Sequence, residues 1–270
     1  MRMSPRTMVV GAAAALALAA CDSTSSTTTP TAPGATPTAT PDPFSGAITV
    51  LAASSLTSAF NTAETGLEST NPGFKATYSF AGSQTLVTEI INGAPADVIA
   101  TADTSTMAQL TAKNLVQKPV TFCQNKLEIA VAPGNPLGIT SLVDLNKPGV
   151  KLVIADPSVP VGAYVADIET SNNITFKPVS LQLSVAAVIE QLESGDANAA
   201  LVFVTDVMGA GSKVSGVQIP DAQNKIGTYQ IAAVSASGNL AAAEAFVTAA
   251  VSGPIQTALI TAGFLPPPAS

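Results

Sequence analysis

The chain has 270 residues, a formal net charge of −7, no histidine, no tryptophan and 4% aromatic residues. An acidic protein lacks the basic face that nucleic acids need. Without histidine, a Ser-His-Asp hydrolase and a His-based metal enzyme are excluded. The scarcity of aromatic residues argues against a sugar site built on stacking platforms.

The N-terminus predicts export. Arg2 and Arg6 precede a short apolar run over residues 9–20, which is shorter than the about 20 apolar residues of a membrane span. The sequence Leu-Ala-Ala-Cys that ends at Cys21 resembles a bacterial lipobox. We therefore expect residues 1–20 to be a signal peptide and Cys21 to carry a lipid that anchors the protein on the extracytoplasmic side of the cell membrane.

Residues 21–46 after the signal are rich in Ser, Thr, Pro, Ala and Gly. Such a segment buries too little apolar surface to offset its ordering entropy, so we predict a disordered tether and a folded domain that begins at Ala47. Cys123 is the only other cysteine, which leaves no intramolecular disulfide once Cys21 is modified. Its apolar surroundings predict a small buried side chain.

The mature part alternates short β-branched runs with longer helical patterns, which predicts βαβ units and an α/β fold. Strands are predicted at residues 48–53, 75–80, 97–101, 127–132, 151–155, 200–204 and 229–234. Helices are predicted at residues 56–67, 85–92, 104–113, 162–170, 185–194, 240–251 and 254–262.

Two breaks suggest where the chain crosses between lobes: the Pro/Gly cluster at residues 132–138 and the pair Ile226-Gly227. On this basis we place residues 47–127 and 229–268 in lobe one and residues 128–228 in lobe two. Ligands of open α/β sheets bind beyond the carboxyl ends of the strands, so the cleft between the lobes is the expected site.

Two serines follow predicted strands in lobe one and open helices. Ser55 and Ser83 each stand at a strand-to-helix turn, where hydroxyl and free backbone N–H groups provide donors for an anion. Gly82 allows close approach of the backbone. The alternative is that both serines only cap their helices, which is the more common role of serine at such a position.

Val161 and Val185 open two helices of lobe two, and each would contribute only its backbone N–H; ordinary core valines remain the alternative. A site made of neutral donors compensates the desolvation of an oxyanion with hydrogen bonds worth about 1.5 to 3 kcal/mol each. Such a site has no acceptor for an O–H, so it favours fully deprotonated tetrahedral anions over hydrogen phosphate.

Together these segments resemble the periplasmic molybdate-binding proteins of ABC transporters, over most of the mature domain. The similar segments are residues 48–57, 80–86, 93–103, 156–162 and 193–206. The resemblance implies a two-lobed periplasmic binding protein of type II, with a mixed or parallel sheet in each lobe and the ligand in the cleft. It also implies a monomer that captures molybdate, and tungstate with it, and delivers them to a membrane permease without a cofactor.

Position by position, the resemblance implies that Ser55 and Ser83 bind the anion through hydroxyl and backbone N–H. Val161 and Val185 would bind through backbone N–H. The chain has Phe203 where the family usually places a tyrosine, and Phe203 has no donor. This departure leaves the choice among molybdate, tungstate and sulfate open.

Three alternatives remain at this point. A sulfate- or phosphate-binding protein of the same fold is one, and for phosphate the needed acceptor would be Asp156 or Asp206. An enzyme using Asp97, Asp103 or Asp156 as acid or base is another, although no nucleophile, metal cluster or cofactor motif accompanies them. The third is a surface interaction lipoprotein with a degenerate cleft.

Overall fold

A computed structural model describes residues 44–268. The predicted signal peptide, Cys21 and residues 21–43 of the predicted tether lie outside the described residues. The strands are β1 (Gly46–Ala53), β2 (Phe74–Ala81), β3 (Val98–Thr101), β4 (Val120–Val131), β5 (Leu152–Ala155), β6 (Ser180–Gln182), β7 (Ala199–Phe203), β8 (Ser215–Gln218) and β9 (Ile226–Ala233). The helices are α1 (Thr57–Thr70), α2 (Ser83–Ile91), α3 (Thr104–Thr111), α4 (Pro160–Asn172), α5 (Val185–Glu193), α6 (Val204–Ala210), α7 (Leu240–Ser252) and α8 (Pro254–Thr261).

The predicted alternation of strands and helices is confirmed, with small shifts at most element ends. Four parts of the secondary structure were not predicted: β6, α6, β8 and the first half of β4. The first three have at most seven residues, too few for a periodic pattern to emerge. The first half of β4 pairs with β9. Its polar residues Gln124 and Asn125, whose side chains donate to Thr228 and Thr205, interrupt the apolar pattern that predicts a strand.

The strands follow the order β2-β1-β3-β9-β4-β7-β5-β6, and β8 also pairs with β4. β1 is parallel to β2 and β3, whereas β9 is antiparallel to both β3 and β4. Strand β4 belongs to two halves of this arrangement: Val120–Lys126 pairs with β9, and Leu127–Val131 pairs with β7 and β8. We call the β2-β1-β3-β9 side the first half-sheet and the β7-β5-β6 side, with β8, the second half-sheet.

The interpretation of Ile226-Gly227 as a break between elements was wrong, because both residues lie inside β9 and pair with β4. The packing of neighbouring side chains favours a glycine at position 227. A Cβ at this position would lie 3.0 Å from Cε1 of Phe203 and 3.1 Å from Cε2 of Tyr164. The half-sheets are therefore connected through the continuous strand β4, and the glycine of its partner β9 makes room for two aromatic rings.

The folded domain extends slightly before Ala47. β1 begins at Gly46, and the ring of Phe44 meets the ring of Phe74 edge-on at 5.2 Å between centroids. Phe44 and Gly46, which we assigned to the tether, therefore belong to the domain.

Apolar side chains of both half-sheets form one large buried cluster, and those of α2 and α3 belong to a second, smaller one. Within the large cluster, Phe60 of α1 and Phe246 of α7 pack edge-on at 5.7 Å, and Cys123 is fully buried, as predicted. No single helix among residues 44–268 has the length and apolarity to cross a membrane; only α7 and α8, bent by 45° at their junction, pass such a test together.

Candidate functional site

A small cavity lies where the carboxyl ends of strands from both half-sheets meet the starts of helices. It encloses about 210 Å3 of empty space, its opening to solvent included. It is lined by Ala53, Ser54, Ser55, Ala81, Gly82, Ser83, Ala102, Val159, Pro160, Val161, Val185 and Phe203. None of these lining residues carries a charge, so the polar character of the cavity comes from hydroxyl and backbone groups. All five residues predicted to face the ligand lie around this one cavity.

Ser55 lies in a short 3-10 helix, Ser54–Leu56, between β1 and α1. Its side chain is 7% exposed, and its Oγ lies 2.8 Å from Oη of Tyr229. The alternative interpretation of Ser55 as a helix cap is wrong, because Ala53 and Leu56 hold the cap positions. Its hydroxyl is used for a tertiary contact beside the cavity, which no local pattern reveals.

Ser83 is the first residue of α2, and Gly82 is the N-cap. The Ser83 side chain is 1% exposed, and its Oγ accepts a hydrogen bond of 3.0 Å from the backbone N–H of Ala102. This bond leaves the hydroxyl proton of Ser83 available for an acceptor in the cavity. Neither Ser55 nor Ser83 occupies an N-cap position, so capping does not account for either serine.

Val161 and Val185 reach the cavity from the second half-sheet side. Val185 opens α5, and Val161 is the second residue of α4 after Pro160, which has no N–H. The first N–H groups of a helix lack partners within it and carry its positive dipole end, so they suit an anion. With α2, three helices of at least nine residues present their N-termini to one cavity.

Phe203 ends β7 and is 1% exposed. Its ring packs edge-on against Tyr229 and Tyr164, at 5.6 and 6.2 Å between centroids. The cavity wall at this position is therefore apolar. Two tyrosines stand directly behind it, and sequence reasoning missed both because Tyr164 and Tyr229 look like ordinary core residues of a helix and a strand.

The two sides of the cavity touch each other at its rim. Nε2 of Gln84 donates to the carbonyl oxygen of Leu183 at 2.9 Å, and Oη of Tyr164 donates to the carbonyl oxygen of Ala102 at 3.4 Å. Gly82 faces the same Leu183 carbonyl, with no room for a Cβ between them. These contacts hold the N-terminus of α2 close to the segment that leads into Val185.

A polar layer lies beneath the cavity, behind Phe203. Nδ2 of Asn125 donates to Oγ1 of Thr205 at 2.7 Å, and Oδ2 of Asp206 accepts from the backbone N–H of Phe203 at 3.0 Å. Burial raises the pKa of Asp206 to about 7, although the Phe203 N–H opposes that shift. Burial, and then the nearby Asp206 carboxylate, raise the pKa of Tyr229 well above its ordinary range, so its hydroxyl stays protonated.

The raised pKa of Asp206 predicts a pH-dependent stability. The folded protein holds this proton more tightly than the unfolded chain does, so the contribution is greatest at acidic pH and is lost as the pH rises from about 4 to about 7. We expect Asp206→Asn, whose amide oxygen still accepts from Phe203, to remove this slope. The free energy of unfolding of the wild type should fall by about 1 to 3 kcal/mol relative to the variant over that range, less than the full shift because solvent screens a half-buried group.

Denaturant unfolding of both proteins at several pH values between 4 and 8 measures this difference. Parallel pH profiles of the wild type and the variant would contradict a raised pKa at Asp206.

The carboxylates considered for acid–base chemistry all have structural partners outside the cavity lining. Oδ2 of Asp97 accepts from Thr49 N at 2.7 Å, Oδ1 of Asp103 caps α3, and Oδ1 of Asp156 accepts from Ser158. Neither Asp156 nor Asp206 lines the cavity, so neither offers an acceptor to a protonated anion there. Within residues 44–268, no group of three or more Cys, Asp or Glu side chains is placed to hold a metal ion.

The chain is similar in sequence and in fold to known bacterial solute-binding proteins. The family model of bacterial extracellular solute-binding proteins matches residues 48–265. The molybdate-binding protein ModA of Mycobacterium tuberculosis is 37% identical over 221 residues, which cover 82% of this chain and 85% of that protein. The periplasmic molybdate-binding protein of Azotobacter vinelandii superposes with a TM-score of 0.70 at 19% identity, covering 82% of this chain and 99% of that one.

The sulfate-binding protein SubI of Mycobacterium tuberculosis superposes with a TM-score of 0.73 at 20% identity, covering 82% of this chain and 86% of that one. At such low identities the two superpositions establish the fold, which is the mixed α/β fold of periplasmic binding proteins, as predicted. The family match covers nearly the whole described domain, and this family consists of transport proteins rather than enzymes. The chain belongs to the bacterial extracellular solute-binding proteins and, among them, to the ModA family.

Proposed function

We propose that this protein captures molybdate, and tungstate with it, and delivers the anion to the membrane permease of an ABC transporter. One observation carries the proposal. The Ser55 and Ser83 hydroxyls and the N-termini of α2, α4 and α5 converge on a single uncharged cavity. Hydroxyl and N–H donors without a balancing cation suit a fully deprotonated oxyanion, because each donor forms a charge-assisted hydrogen bond.

The choice of molybdate rests on the relative with 37% identity, since the fold itself is shared with a sulfate-binding protein. Tungstate follows because the two anions have nearly the same size and charge, so a cavity of fixed donors does not separate them. Phosphate is disfavoured by the absence of a carboxylate among the residues that line the cavity. Hydrogen phosphate would leave its O–H without an acceptor there, which costs about 1 to 3 kcal/mol.

We also propose that the two sides of the cavity are separate lobes, residues 47–127 with 229–268 and residues 128–228, that close over the anion. The change of pairing partner between Lys126 and Leu127 in β4 supports that boundary. The rim contacts of Gln84 with Leu183 and of Tyr164 with Ala102 are the bonds that closure would form. Attachment of a lipid to Cys21, and a monomeric state, remain proposals that mass spectrometry of the mature protein and light scattering test directly.

Calorimetric titration of the purified protein with molybdate, tungstate, sulfate and phosphate tests the proposed function. We expect tight binding of molybdate and tungstate, weaker binding of sulfate and very weak binding of phosphate. Sulfate as the tightest ligand would make this a sulfate-binding protein of the same family. Failure of all four anions to bind would contradict oxyanion capture altogether.

A further inference from the structure

The hydroxyl of Tyr229 is placed directly behind one of the candidate ligand donors. Tyr229 is fully buried in β9 and does not line the cavity. Its Oη lies 2.8 Å from Oγ of Ser55, a residue 174 positions away in the chain. The geometry permits either hydroxyl to be the donor of this bond.

Occupancy of the cavity decides the direction of the bond. A fully deprotonated oxyanion only accepts, so Ser55 must direct its single hydroxyl proton at the anion in order to bind it. The Ser55–Tyr229 bond then persists only if Tyr229 donates to the lone pair of Ser55. Burial keeps Tyr229 protonated and able to do so.

The groups around Tyr229 leave its proton few other acceptors. Nδ2 of Asn125 donates to Thr205, and Oδ1 of Asn125 accepts from the backbone N–H of Lys126 at 3.0 Å. The Asn125 side chain also hydrogen-bonds to the Tyr229 hydroxyl and lowers the pKa of Tyr229, which is the effect of a donor rather than of an acceptor. The carboxylate of Asp206 already accepts from Phe203 N–H, and Cys123 is a buried thiol whose pKa is raised by burial. Asp206 and Cys123 are the titratable neighbours of Tyr229, and among the described residues both act on its hydroxyl through charge rather than through a hydrogen bond.

We propose that Tyr229 is a positioning and specificity-determining residue, whose hydroxyl donates to Ser55 Oγ and so makes Ser55 an obligate donor to the oxyanion. This inference rests on the proposed function. Tyr229 then occupies one of the two lone pairs of Ser55, which leaves the Ser55 proton for the ligand and makes Ser55 a poorer acceptor for a ligand O–H. The pair therefore strengthens binding of deprotonated anions and at the same time rejects protonated ones such as hydrogen phosphate.

The same pair accounts for an apolar Phe203 in the cavity wall. The hydroxyl that the family usually places at position 203 is missing, and the one behind it acts through Ser55 instead of touching the ligand. Chains of hydrogen bonds polarise one another, so a donor that itself accepts a hydrogen bond donates more strongly.

The variant Tyr229→Phe tests the inference, with Tyr78→Phe as the matched control. Tyr78 lies in β2, stacks on Phe80 at 5.5 Å and has no hydrogen bond to a cavity residue among those described. Dissociation constants for molybdate, sulfate and phosphate are measured for all three proteins at pH 6 and pH 8. We expect Tyr229→Phe to weaken molybdate and sulfate together by about tenfold, and to reduce the preference for molybdate over phosphate by about tenfold. The control should retain wild-type values.

The outcomes are separable. Wild-type protein that binds no oxyanion overturns the proposed function and this inference with it. Wild-type protein that binds molybdate, with a Tyr229→Phe variant whose preference over phosphate is unchanged, overturns the inference alone. Equal weakening of all three anions, phosphate included, assigns Tyr229 a merely structural role and also overturns it.

If Tyr229→Phe fails to fold, proton NMR of the wild type tests whether Tyr229 donates to Ser55. The buried Tyr229 hydroxyl proton exchanges slowly and its resonance should move downfield when molybdate binds, because Ser55 Oγ becomes a better acceptor as it donates to the anion. A Tyr229 hydroxyl resonance that does not respond to molybdate would contradict the inference.

Discussion

Gly82→Ala is expected to lower the affinity for molybdate by about 100-fold while leaving the thermal stability of the protein nearly unchanged. The backbone of Gly82 has φ −62° and ψ 137°, which alanine adopts without strain. The added Cβ would clash with the carbonyl oxygen of Leu183 across the rim of the cavity. A backbone oxygen cannot rotate away as a side chain does, so the two sides must separate and the binding-competent form becomes a small fraction.

Calorimetric titration measures the affinity, and solution scattering with and without molybdate measures the compaction. The matched control is Gly66→Ala in α1, where a Cβ would meet nothing within 4 Å. We expect the control to bind normally and compact on binding, and Gly82→Ala to do neither. Unaltered affinity of Gly82→Ala would show that contact between Gly82 and Leu183 is not required for binding.

Ser83→Ala is expected to cause the second large loss of affinity for molybdate. Loss of one hydroxyl donor to a buried anion costs about 2 kcal/mol, which corresponds to about 30-fold in the dissociation constant. The same change removes the acceptor of the Ala102 N–H, which is buried. We therefore also expect a fall of about 1 kcal/mol or more in the free energy of unfolding.

Titration with molybdate and denaturant unfolding separate these two effects. Ser79→Ala, at an exposed position of β2 four residues earlier, is the control and should change neither quantity. A Ser83→Ala variant that loses stability and retains full affinity would remove Ser83 from the ligand site and leave it a structural role.

Much of the site was accessible to sequence reasoning because its parts are local. Ser55 and Ser83 stand where a β-branched run gives way to a helical pattern, and Val161 and Val185 open helices whose first N–H groups are free by geometry. The alternation of strands and helices likewise depends on periodicities of a few residues. The α/β fold and the buried position of Cys123 follow from such patterns and from composition.

The tertiary structure decided which partner each local group has. The sequence makes Ser55 look like a helix cap; only folding brings Tyr229, which is 174 positions away, to its hydroxyl. Gly227 reads as a break but is a strand residue that accommodates the rings of Phe203 and Tyr164. The physical reason is the same in each case: backbone propensity and hydrophobic periodicity act over one or two turns, whereas the direction of a hydroxyl proton and the space for a Cβ depend on atoms that distant segments bring together.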